Sequence, residues 1–404
     1  MLGDIQRYDV IIIGAGPAGS STARVIARRG YRTLLVERKS RVGIPVLCGE
    51  FLPTVEELRD ILPHSSRIDR ICNISNSVVL NRCNHIVLVS PSGDEFDIPM
   101  RAIVIDRAAF DQHLAEQALK AGAILLTGTK LKDRVSKNQV RLISGSGTRI
   151  VECAVLVGAD GPLSTVARCV PGLSQQETND LSISIQYTIE ATGFDSDRVF
   201  MFFGNIAPGG YAWIIPRGHT EANVGLGLRP SYATPRRSLR NYLHSFIHHY
   251  LIEKLGIRNI RIKRRISGFI PVNGPVQSTV TATALLVGDA ASHVMPTNGG
   301  GIPTALIGGN IAGKAIVDYL KSGSKLSNYE EMWRREFGNE LITGASLLSV
   351  ASIPMLSDAV TEWAMRCFGR RMLNDVIRCR VPYPFQELST PLNLMTGQLH
   401  RFLR

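Results

Sequence analysis

The sequence predicts an α/β fold, α+β overall, with a parallel-sheet domain, an antiparallel-sheet domain and a helical C-terminal region. Three observations support this prediction. Near the N-terminus an apolar strand runs directly into a glycine-rich turn and a helix. Between residues 181 and 230 apolar and polar residues alternate with the period of two that is typical of antiparallel strands. From Ser327 onward the pattern is helical.

The first unit of the chain spans residues 8–37. Residues 8–13 are an apolar, β-branched run typical of a buried parallel strand, and this run enters the glycine-rich residues 14–19 without a polar break. We predict a helix over residues 20–29 and a second strand over residues 32–36, which ends on Glu37. The order strand, Gly-x-Gly-x-x-Gly, helix, strand and acid is the fingerprint of a Rossmann-type dinucleotide site.

Each residue of this fingerprint has a predicted task. Gly14 makes the tight turn, Gly16 lets the backbone approach a pyrophosphate, and Gly19 lets the helix pack closely on the strand. The helix N-terminus offers free N–H groups and a positive dipole end to the phosphates. Glu37 is placed to accept a hydrogen bond from a ribose hydroxyl. An ordinary glycine-rich turn would leave Glu37 unexplained.

A loop and several short strands follow. Residues 43–50 include two glycines and a proline, which mark a loop with special backbone requirements. Within it, Cys48 either faces a cofactor or is a small packing residue, and spacing does not decide between the two. Short strands are predicted over residues 78–80, 86–89, 96–98 and 103–105.

A helix is predicted to begin near Arg107. This arginine either reaches the phosphates or ribose of a dinucleotide or forms a surface ion pair. Further strands are predicted over residues 123–126 and 154–158, with a small antiparallel addition around residues 135–142. The strand at 154–158 leads to Asp160, an acid flanked by glycines.

In the antiparallel region one strand carries a distinctive apolar face. The period of two places Tyr211, Trp213 and Ile215 on the same side of the sheet. This wide face, which has two polar tips, is either the wall of a hydrophobic substrate site or part of a domain core.

A second glycine-rich segment follows a buried strand predicted over residues 285–291. Asp289 at the end of that strand is placed to hold a ribityl hydroxyl. Gly300 and Gly301 lead into a long helix, predicted over residues 302–320, where the backbone can lie against an isoalloxazine ring. The positive end of that helix would stabilise a reduced, anionic flavin.

These elements predict three regions. The dinucleotide-binding domain is discontinuous and takes residues 1–75, 101–175 and 275–326. The antiparallel-sheet domain takes residues 76–100 and 176–274. Residues 327–404 form the helical C-terminal region.

Composition and charge set limits on the partners. The chain has 404 residues and a net charge of +12, with basic clusters at residues 258–265 and 366–380. Such charge attracts an anionic membrane surface, a nucleic acid or an anionic substrate, or it serves solubility. Because no nucleic-acid motif accompanies the charge, we expect a membrane or phospholipid partner and no nucleic acid. No uninterrupted apolar run reaches spanning length.

The seven cysteines are scattered, with no Cys-x-x-Cys pair and no His/Cys cluster of zinc spacing. We therefore expect no metal site, and reduced thiols in a cytosolic protein. Whether Cys367 and Cys379 pair is left open. A strand that begins within a few residues of Met1 predicts no signal peptide. The expected location is cytoplasmic and peripheral, on the inner face of the cell membrane.

Four motifs stand in order along the chain: the fingerprint of residues 14–37, Asp106-Arg107, the glycine-flanked Asp160, and Asp289 with its glycines at 299–301. Together they resemble the FAD-binding core of the aromatic-hydroxylase-like flavoprotein superfamily. The segments Cys48-Gly49-Glu50 and 208–216 extend the likeness. With them, the chain closely resembles the geranylgeranyl reductase family over residues 8–320, and most of all its archaeal members that act on membrane lipids.

The resemblance implies FAD as the cofactor and reduction of prenyl-chain double bonds in geranylgeranyl ether phospholipids. The implied cofactor residues are Ala18, Glu37, Cys48, Gly49, Arg107, Asp289, Gly301 and Ile302, with a main-chain contact to adenine at Leu131. A lipid tunnel would include Tyr211 and Trp213. Three positions depart from the family pattern and bear on pocket shape and chain-length preference: Leu47 replaces an arginine, Phe51 a glycine and Ile215 an aromatic residue.

The implied reaction needs a proton as well as a hydride, because an isolated trisubstituted alkene is electron-rich. Charge builds at the tertiary carbon, which favours a dry apolar pocket. Cys48 is the candidate catalytic residue, as the proton donor or as a group that shapes the flavin face. Since no second nucleotide fingerprint is present, electrons are expected from a small redox protein or from a nicotinamide that docks briefly.

Two other functions stay open on the sequence. One is a flavin-dependent monooxygenase or halogenase built on the same core, which would consume oxygen. The other is a non-catalytic carrier of prenyl lipids that has kept the Rossmann-type shell.

Overall fold

The computed structural model describes residues 5–177, 181–352, 355, 357–383 and 385. Two sheets organise these residues. The strands are β1 (Gln6–Ile13), β2 (Thr33–Val36), β3 (Phe51–Pro53), β4 (Val79–Val89), β5 (Glu95–Ile105), β6 (Ile124–Leu126), β7 (Thr129–Ser136), β8 (Gln139–Ser144), β9 (Gly147–Gly158), β10 (Leu181–Glu190), β11 (Arg198–Phe202), β12 (Tyr211–Pro216), β13 (Glu221–Leu228), β14 (Arg261–Pro271) and β15 (Ala284–Leu286).

Helices cover the sheets and form the C-terminal region. They are α1 (Pro17–Ala27), α2 (Val55–Ile61), α3 (Ile68–Ile71), α4 (Arg107–Lys120), α5 (Thr165–Cys169), α6 (Leu239–Phe246), α7 (Ile302–Ser322), α8 (Asn328–Trp333), α9 (Asn339–Ala351) and α10 (Asp358–Ile377). Helix α10 is interrupted at Gly369, where φ is 59° and ψ is 177°. Within the described ranges, no helix is both long and apolar enough to cross a bilayer.

The first sheet is mixed and Rossmann-like. Its strand order is β6-β2-β1-β9-β8-β7, and β15 pairs with β9. Strand β1 pairs in parallel with both β2 and β9. Successive residues of β1 point to opposite faces, so Val10 and Ile12 enter one apolar cluster while Ile11 and Ile13 enter another. Because both clusters are buried, residues 10–13 of the strand are all apolar rather than alternating.

The second sheet has the strand order β14-β10-β13-β12-β11-β4-β5-β3. Its pairs are antiparallel apart from β4 with β11. One face, which includes Phe202 and Leu226, packs on Phe246 of α6. The other face carries Trp213 and Ile215 and packs on α10. The predicted α/β organisation, with an antiparallel sheet and C-terminal helices, is confirmed.

Some element boundaries differ from the sequence predictions. Residues 78–80 and 86–89 lie largely on one long strand, β4, and residues 96–98 and 103–105 share β5. The predictions missed this because exposed polar residues such as Arg82 and irregular register interrupt the apolar pattern. Helix α1 begins at Pro17 rather than residue 20, since proline suits the first helical position.

The strand predicted over residues 285–291 is wrong beyond Leu286. Residues Gly288–Ala291 form a 3-10 turn instead. Gly288 and Ser292 have φ angles of 61° and 56°, which bend the chain away from the sheet. The turn carries Asp289 out of the sheet and toward the start of α7.

The two sheets share segments of chain across one predicted boundary. Strand β5 runs through the boundary predicted between residues 100 and 101 and pairs with β3. Residues 51–53 and 101–105 therefore lie in the second sheet rather than the first. The rest of the division into domains stays a prediction.

Helices α8 and α9 of the C-terminal region pack on the apolar cluster beside the first sheet. The hydroxyl of Tyr329 donates to the Leu286 carbonyl at 2.7 Å, and Trp333 Nε1 donates to Thr279 Oγ1 at 3.1 Å. Both rings are fully buried and join the apolar cluster that contains α1 and α7. This region therefore helps to hold the segments around residues 279–286 in place.

The seven cysteines are all free thiols. Cys367 is exposed on α10, whereas Cys379 is buried with its Sγ 3.0 Å from Thr297 Oγ1. The two do not pair, which answers the question that the sequence leaves open.

The glycines of α7 bring its backbone close to α1 where the two helices cross. A Cβ added at Gly309 would lie 2.4 Å from the Ala18 carbonyl oxygen, and one added at Gly313 would lie 3.1 Å from the Thr22 carbonyl oxygen. Thr22 Oγ1 donates to the Gly309 carbonyl at 3.1 Å. Close backbone contact thus fixes the start of α7 beside the glycine-rich turn.

Substitution of Gly309 by alanine should lower the free energy of unfolding by about 1–3 kcal/mol, because overpacking forces the two helices apart. Denaturant unfolding measures this change. The matched control is Gly308→Ala on the same helix, where a Cβ would lie 3.4 Å from His293 Nδ1, an ordinary contact. The control should be neutral or stabilise by up to about 1 kcal/mol. Equal destabilisation by both variants would contradict the close-packing argument.

Candidate flavin and substrate site

The glycine-rich turn between β1 and α1 leaves an open cradle. Gly14 has a φ of 103°, and a Cβ there would lie 2.2 Å from the Ala159 carbonyl oxygen. A Cβ on Gly19 would lie 1.9 Å from the Gly14 carbonyl oxygen. At Gly16, by contrast, no described atom lies within 4 Å of the Cβ position. The open space faces the N-terminus of α1, so the turn fits a pyrophosphate.

Glu37 closes this turn from the end of β2. Its Oε2 accepts from Ala15 N at 3.0 Å and its Oε1 accepts from Lys39 N at 2.9 Å. Each carboxylate oxygen has two lone pairs, so capacity remains for a ribose hydroxyl. The Glu37 carbonyl accepts from Thr129 N at 2.9 Å, which places β7 alongside. Two residues further on, the Leu131 side chain is buried, so its main chain is the part that can face a ligand.

Arg107 is the charged centre of the site. Asp106 caps α4 by accepting from Ala109 N at 3.0 Å, which fixes Arg107 in the first turn. Arg107 Nε donates to Asp111 Oδ1 at 2.8 Å, and the Arg107 charge lies near enough to Cys48 to interact with it electrostatically. Burial opposes the charge on Arg107, but Asp111 and Cys48 outweigh it and raise the pKa of Arg107.

Cys48 lies at the junction between the two sheets. Its Sγ accepts from Glu50 N at 3.2 Å in addition to the Arg107 contact. Its carbonyl accepts from Gln186 Nε2 of β10 at 3.2 Å, and the Gly49 carbonyl accepts from Asn223 Nδ2 of β13 at 3.1 Å. The Cys48 segment is therefore held from the side of both sheets.

Asp289 and the glycines before α7 complete the cofactor side. A Cβ on Gly288 would lie 2.9 Å from the Ala18 Cβ, so the turn that carries Asp289 touches the start of α1. Asp289 Oδ1 lies 3.3 Å from the Cβ position of Gly301. Burial raises the pKa of Asp289, against the lowering effect of the Arg107 charge.

The N-terminus of α7 is built from backbone. Gly301 is its N-cap residue, with no side-chain cap, and Ile302 and Pro303 begin the helix. Gly300 N donates to Asn298 Oδ1 at 2.7 Å. An uncapped helix start beside a carboxylate and small residues fits a flat ring with hydrogen-bonding edges.

The three substrate candidates lie on β12, facing this region. Trp213 Nε1 donates to Gln186 Oε1 at 2.9 Å, and the Tyr211 and Trp213 ring centroids are 5.8 Å apart. The Tyr211 hydroxyl donates to the Asn298 carbonyl. Ile215 Cδ1 lies 3.1 Å from the Cβ position of Gly49.

A continuous set of contacts thus joins the two groups of candidates. It runs from the Cys48 carbonyl through Gln186 to Trp213, and from Trp213 through Tyr211 to the loop before α7. The apolar face is also a core, because Trp213 and Ile215 are both 7% exposed and pack with α10. The structure therefore shows this face as a core, and the substrate wall stays a prediction.

Sequence reasoning missed three features of the site. Gln186 links the Cys48 segment to Trp213. Its one signal in the sequence is that it is a polar residue within a predicted strand. Asp160 accepts from Ser164 Oγ at 2.6 Å and Thr165 N at 2.6 Å, so it holds the start of α5. Glu50, next to Cys48, is completely buried.

The three departures from the family pattern have separate surroundings. Leu47 is exposed on the loop before Cys48. Phe51 is half-buried and packs on the same apolar cluster as Ile215. A large side chain is therefore present near the Cys48 segment even though position 215 is not aromatic.

Comparison with known proteins identifies the family. A family model described as the geranylgeranyl reductase catalytic domain matches residues 180–264, and one described as FAD dependent oxidoreductase matches residues 9–44. The digeranylgeranylglycerophospholipid reductase of Methanothrix thermoacetophila is 32% identical over 345 residues, which cover 83% of this chain and 85% of that protein. The chain belongs to the geranylgeranyl reductase family. As a member of this family, it is an FAD-dependent oxidoreductase.

Solved structures agree with this geranylgeranyl reductase fold. A geranylgeranyl bacteriochlorophyll reductase-like protein from Thermoplasma acidophilum is 25% identical, with a TM-score of 0.82 and coverage of 96% of this chain and 99% of that one. A triple mutant of a flavin-dependent brominase is 18% identical, with a TM-score of 0.72 and coverage of 98% and 100%. The second likeness shows a shared fold alone.

Replacing both Glu37 and Asp289 by alanine should weaken FAD retention by this reductase-family chain. We expect each carboxylate to accept a hydrogen bond from the cofactor, and a bond to a charged group contributes about 1.5–3 kcal/mol. Fluorescence titration of the apoprotein with FAD measures the change. Asp160→Asn is the matched control, because that strand-end acid already accepts hydrogen bonds from Ser164, Thr165 and Val166 at the start of α5. Wild-type affinity in the double variant would show that the two acids do not hold FAD.

Proposed function

We propose that this chain reduces prenyl-chain double bonds in geranylgeranyl ether phospholipids. The observation that carries the proposal is the set of contacts that joins Cys48, through Gln186, to Trp213 and Tyr211. Cys48, an apolar face and the loop before α7 are linked by these contacts, and we take that face as the substrate wall. The name of the Methanothrix relative supports the phospholipid as substrate.

The proposed cofactor residues divide into two groups. We propose that Gly14, Gly16, Ala18, Gly19 and Glu37 hold the nucleotide half of FAD, with a main-chain contact at Leu131. The flavin half would meet Cys48, Gly49, Arg107, Asp289, Gly300, Gly301 and Ile302. When bound, FAD would carry two electrons and supply a hydride equivalent.

The residues of the chain then have separate tasks in the proposed reaction. One alkene π bond is lost and two C–H bonds form, one from a proton and one from the hydride equivalent. Cys48 Sγ is the proposed proton source, and Arg107 beside it is suited to stabilise the thiolate that proton loss leaves. Tyr211, Trp213 and Ile215 exclude water and hold the chain. Two electrons per bond must come from a reduced small redox protein or a nicotinamide.

Cys48→Ser and Trp213→Ala should affect different steps. A serine hydroxyl is a much weaker acid than a thiol, so Cys48→Ser should slow alkene reduction at least tenfold, about 1.4 kcal/mol, and leave lipid affinity unchanged. Trp213→Ala should mainly weaken lipid binding, since it removes apolar wall worth about 3 kcal/mol. The measurement is anaerobic single turnover of reduced enzyme with digeranylgeranyl phospholipid, read by mass spectrometry.

Phe202→Ala is the matched control for Trp213→Ala. Phe202 is equally buried but lies on the opposite face of the second sheet, against α6. It should lower stability without changing lipid affinity.

Wild-type turnover by Cys48→Ser would remove the thiol as proton source. Oxygen-dependent hydroxylation or halogenation, without alkene reduction, would favour the monooxygenase class over the reductase.

The basic clusters are less free than the sequence suggests. Carboxylates lie within ion-pair distance of six of their cations: Arg261, Lys263, Arg264, Arg366, Arg378 and Arg380. Arg378 is almost completely buried between Glu57 and Asp60. Net charge by itself is therefore a weak guide to where a membrane would bind.

We further propose a cytoplasmic location, peripheral on the inner face of the membrane, with the α10 outer face as the contact. This name is used for four exposed residues of α10, Val360 and Trp363 before the interruption at Gly369 and Arg370 and Arg371 after it. The Trp363 side chain is 67% exposed, and tryptophan and arginine both suit a lipid headgroup boundary. The opposite side of α10 packs on the apolar cluster that contains Trp213. A lipid held at the outer face would therefore lie one helix away from the proposed wall.

The triple variant Trp363→Ser, Arg370→Glu, Arg371→Glu should bind anionic liposomes at least fivefold more weakly, since each cation near the surface contributes about 1 kcal/mol. Liposome flotation at several salt concentrations measures binding, which should fall as salt screens the charges over about 8 Å. Arg258→Glu with Arg265→Glu is the charge-matched control in the other cluster. If the control weakens binding equally, the α10 outer face is not the contact.

A further inference from the structure

Glu50 is a completely buried carboxylate, next to the Cys48-Gly49 pair of the cofactor side. Its Oε2 lies 2.9 Å from Arg217 Nε and accepts from Asn223 Nδ2 at 2.7 Å. Its Oε1 accepts from Arg264 Nη2 at 3.1 Å. A buried charge needs this degree of compensation.

The partners of Glu50 come from three parts of the second sheet. Arg217 directly follows β12, Asn223 lies on β13 and Arg264 lies on β14. Glu50 itself belongs to the segment between Cys48 and β3. The carboxylate therefore ties the cofactor-side loop to the sheet that carries the substrate wall.

The backbone of Glu50 has an unusual conformation. Its φ is 70°, a left-handed value that is unfavourable for a residue other than glycine. This conformation goes with a tight turn in which Glu50 N donates back to Cys48 Sγ at 3.2 Å. The Glu50 carbonyl accepts from Ile105 N at 2.9 Å. The side-chain contacts offset the unfavourable backbone and hold the turn closed.

We propose that Glu50 is a positioning residue that keeps the sulfur of Cys48 against its donor, the Glu50 N–H, on the side of the site where Arg107 lies. The role of that sulfur in alkene reduction rests on the proposed function. Glu50 touches neither substrate nor reacting atoms in this account. Its carboxylate acts through the geometry of the turn.

The test is the reaction of Cys48 with iodoacetamide in the full-length protein, followed by peptide mass spectrometry over a series of pH values. Exposed Cys367 in the same sample is the internal reference for reagent. Alkylation depends on how the sulfur and its hydrogen-bond donor are aligned, so loss of this alignment should shift the Cys48 profile to rates about threefold lower than those of wild type, relative to Cys367. We expect this shift in both Glu50→Gln and Glu50→Gly.

The two substitutions separate backbone from side chain. Glycine accepts a left-handed φ without strain but removes the carboxylate. If Glu50→Gly keeps the wild-type profile, the turn positions the sulfur by itself and the proposal is wrong. Arg264→Gln, which removes one partner and leaves Glu50 in place, should shift the profile in the same direction by less. The Arg264→Gln variant therefore tests the proposal even if the Glu50 variants do not fold.

Glu336→Gln is the matched control. Glu336 is also a buried carboxylate beside an arginine, and it binds Ser65, Ser66 and Arg67 near the C-terminal helices. It should lower stability and leave the Cys48 profile unchanged. An equal shift in this variant would show that loss of any buried carboxylate alters the alkylation of Cys48, and the proposal would be wrong. Because alkylation needs no substrate, failure of Cys48→Ser to slow turnover would count against the proposed function alone.

Discussion

Backbone contact at the first turn of α1 is the constraint on which the rest of the structure depends. Around this turn the carbonyls of Gly14 and Ala18 and the main chain of residue 159 are so close to their neighbours that no Cβ fits at Gly14, Gly19 or Gly309. Three strand ends and the crossing of two helices therefore converge at one point. The convergence leaves space beside Gly16 and sets Asp289 next to the start of α7. Small residues here specify the position of larger groups elsewhere.

The segment from Cys48 to Glu50 couples this convergence to the second sheet. On one side, the sulfur meets Arg107, whose helix follows directly from β5. On the other, main-chain carbonyls receive side-chain amides from β10 and β13. Because β5 belongs to the second sheet and ends beside α4, the cofactor and substrate sides share a continuous framework. At this point of the described chain, no flexible linker separates the cofactor side from the substrate side.

Much of the fold could be predicted because its signals are local. Residues 8–37 show strand, turn and helix patterns within one short stretch, and the face of Tyr211 and Trp213 follows from a period of two. The contact of Gln186 with Trp213 joins positions on separate strands, so it depends on register, which the sequence does not state. The ion pairs of six residues in the two basic clusters were missed for the same reason. Charge counts do not reveal which carboxylates fold beside them.

The position of α10 has a consequence for how this protein family can diversify. Helix α10 covers the face of Trp213 and Ile215, yet none of the proposed flavin-binding residues belongs to it. Substitutions at buried positions such as Met365 or Leu373 can therefore change the shape of the apolar cluster around Trp213 without altering the proposed flavin-binding residues. After gene duplication, substitutions in this helix can change the preference of one copy for longer, shorter or bulkier versions of the proposed lipid substrate. Mutational tolerance and catalytic constraint are thus assigned to different parts of the chain.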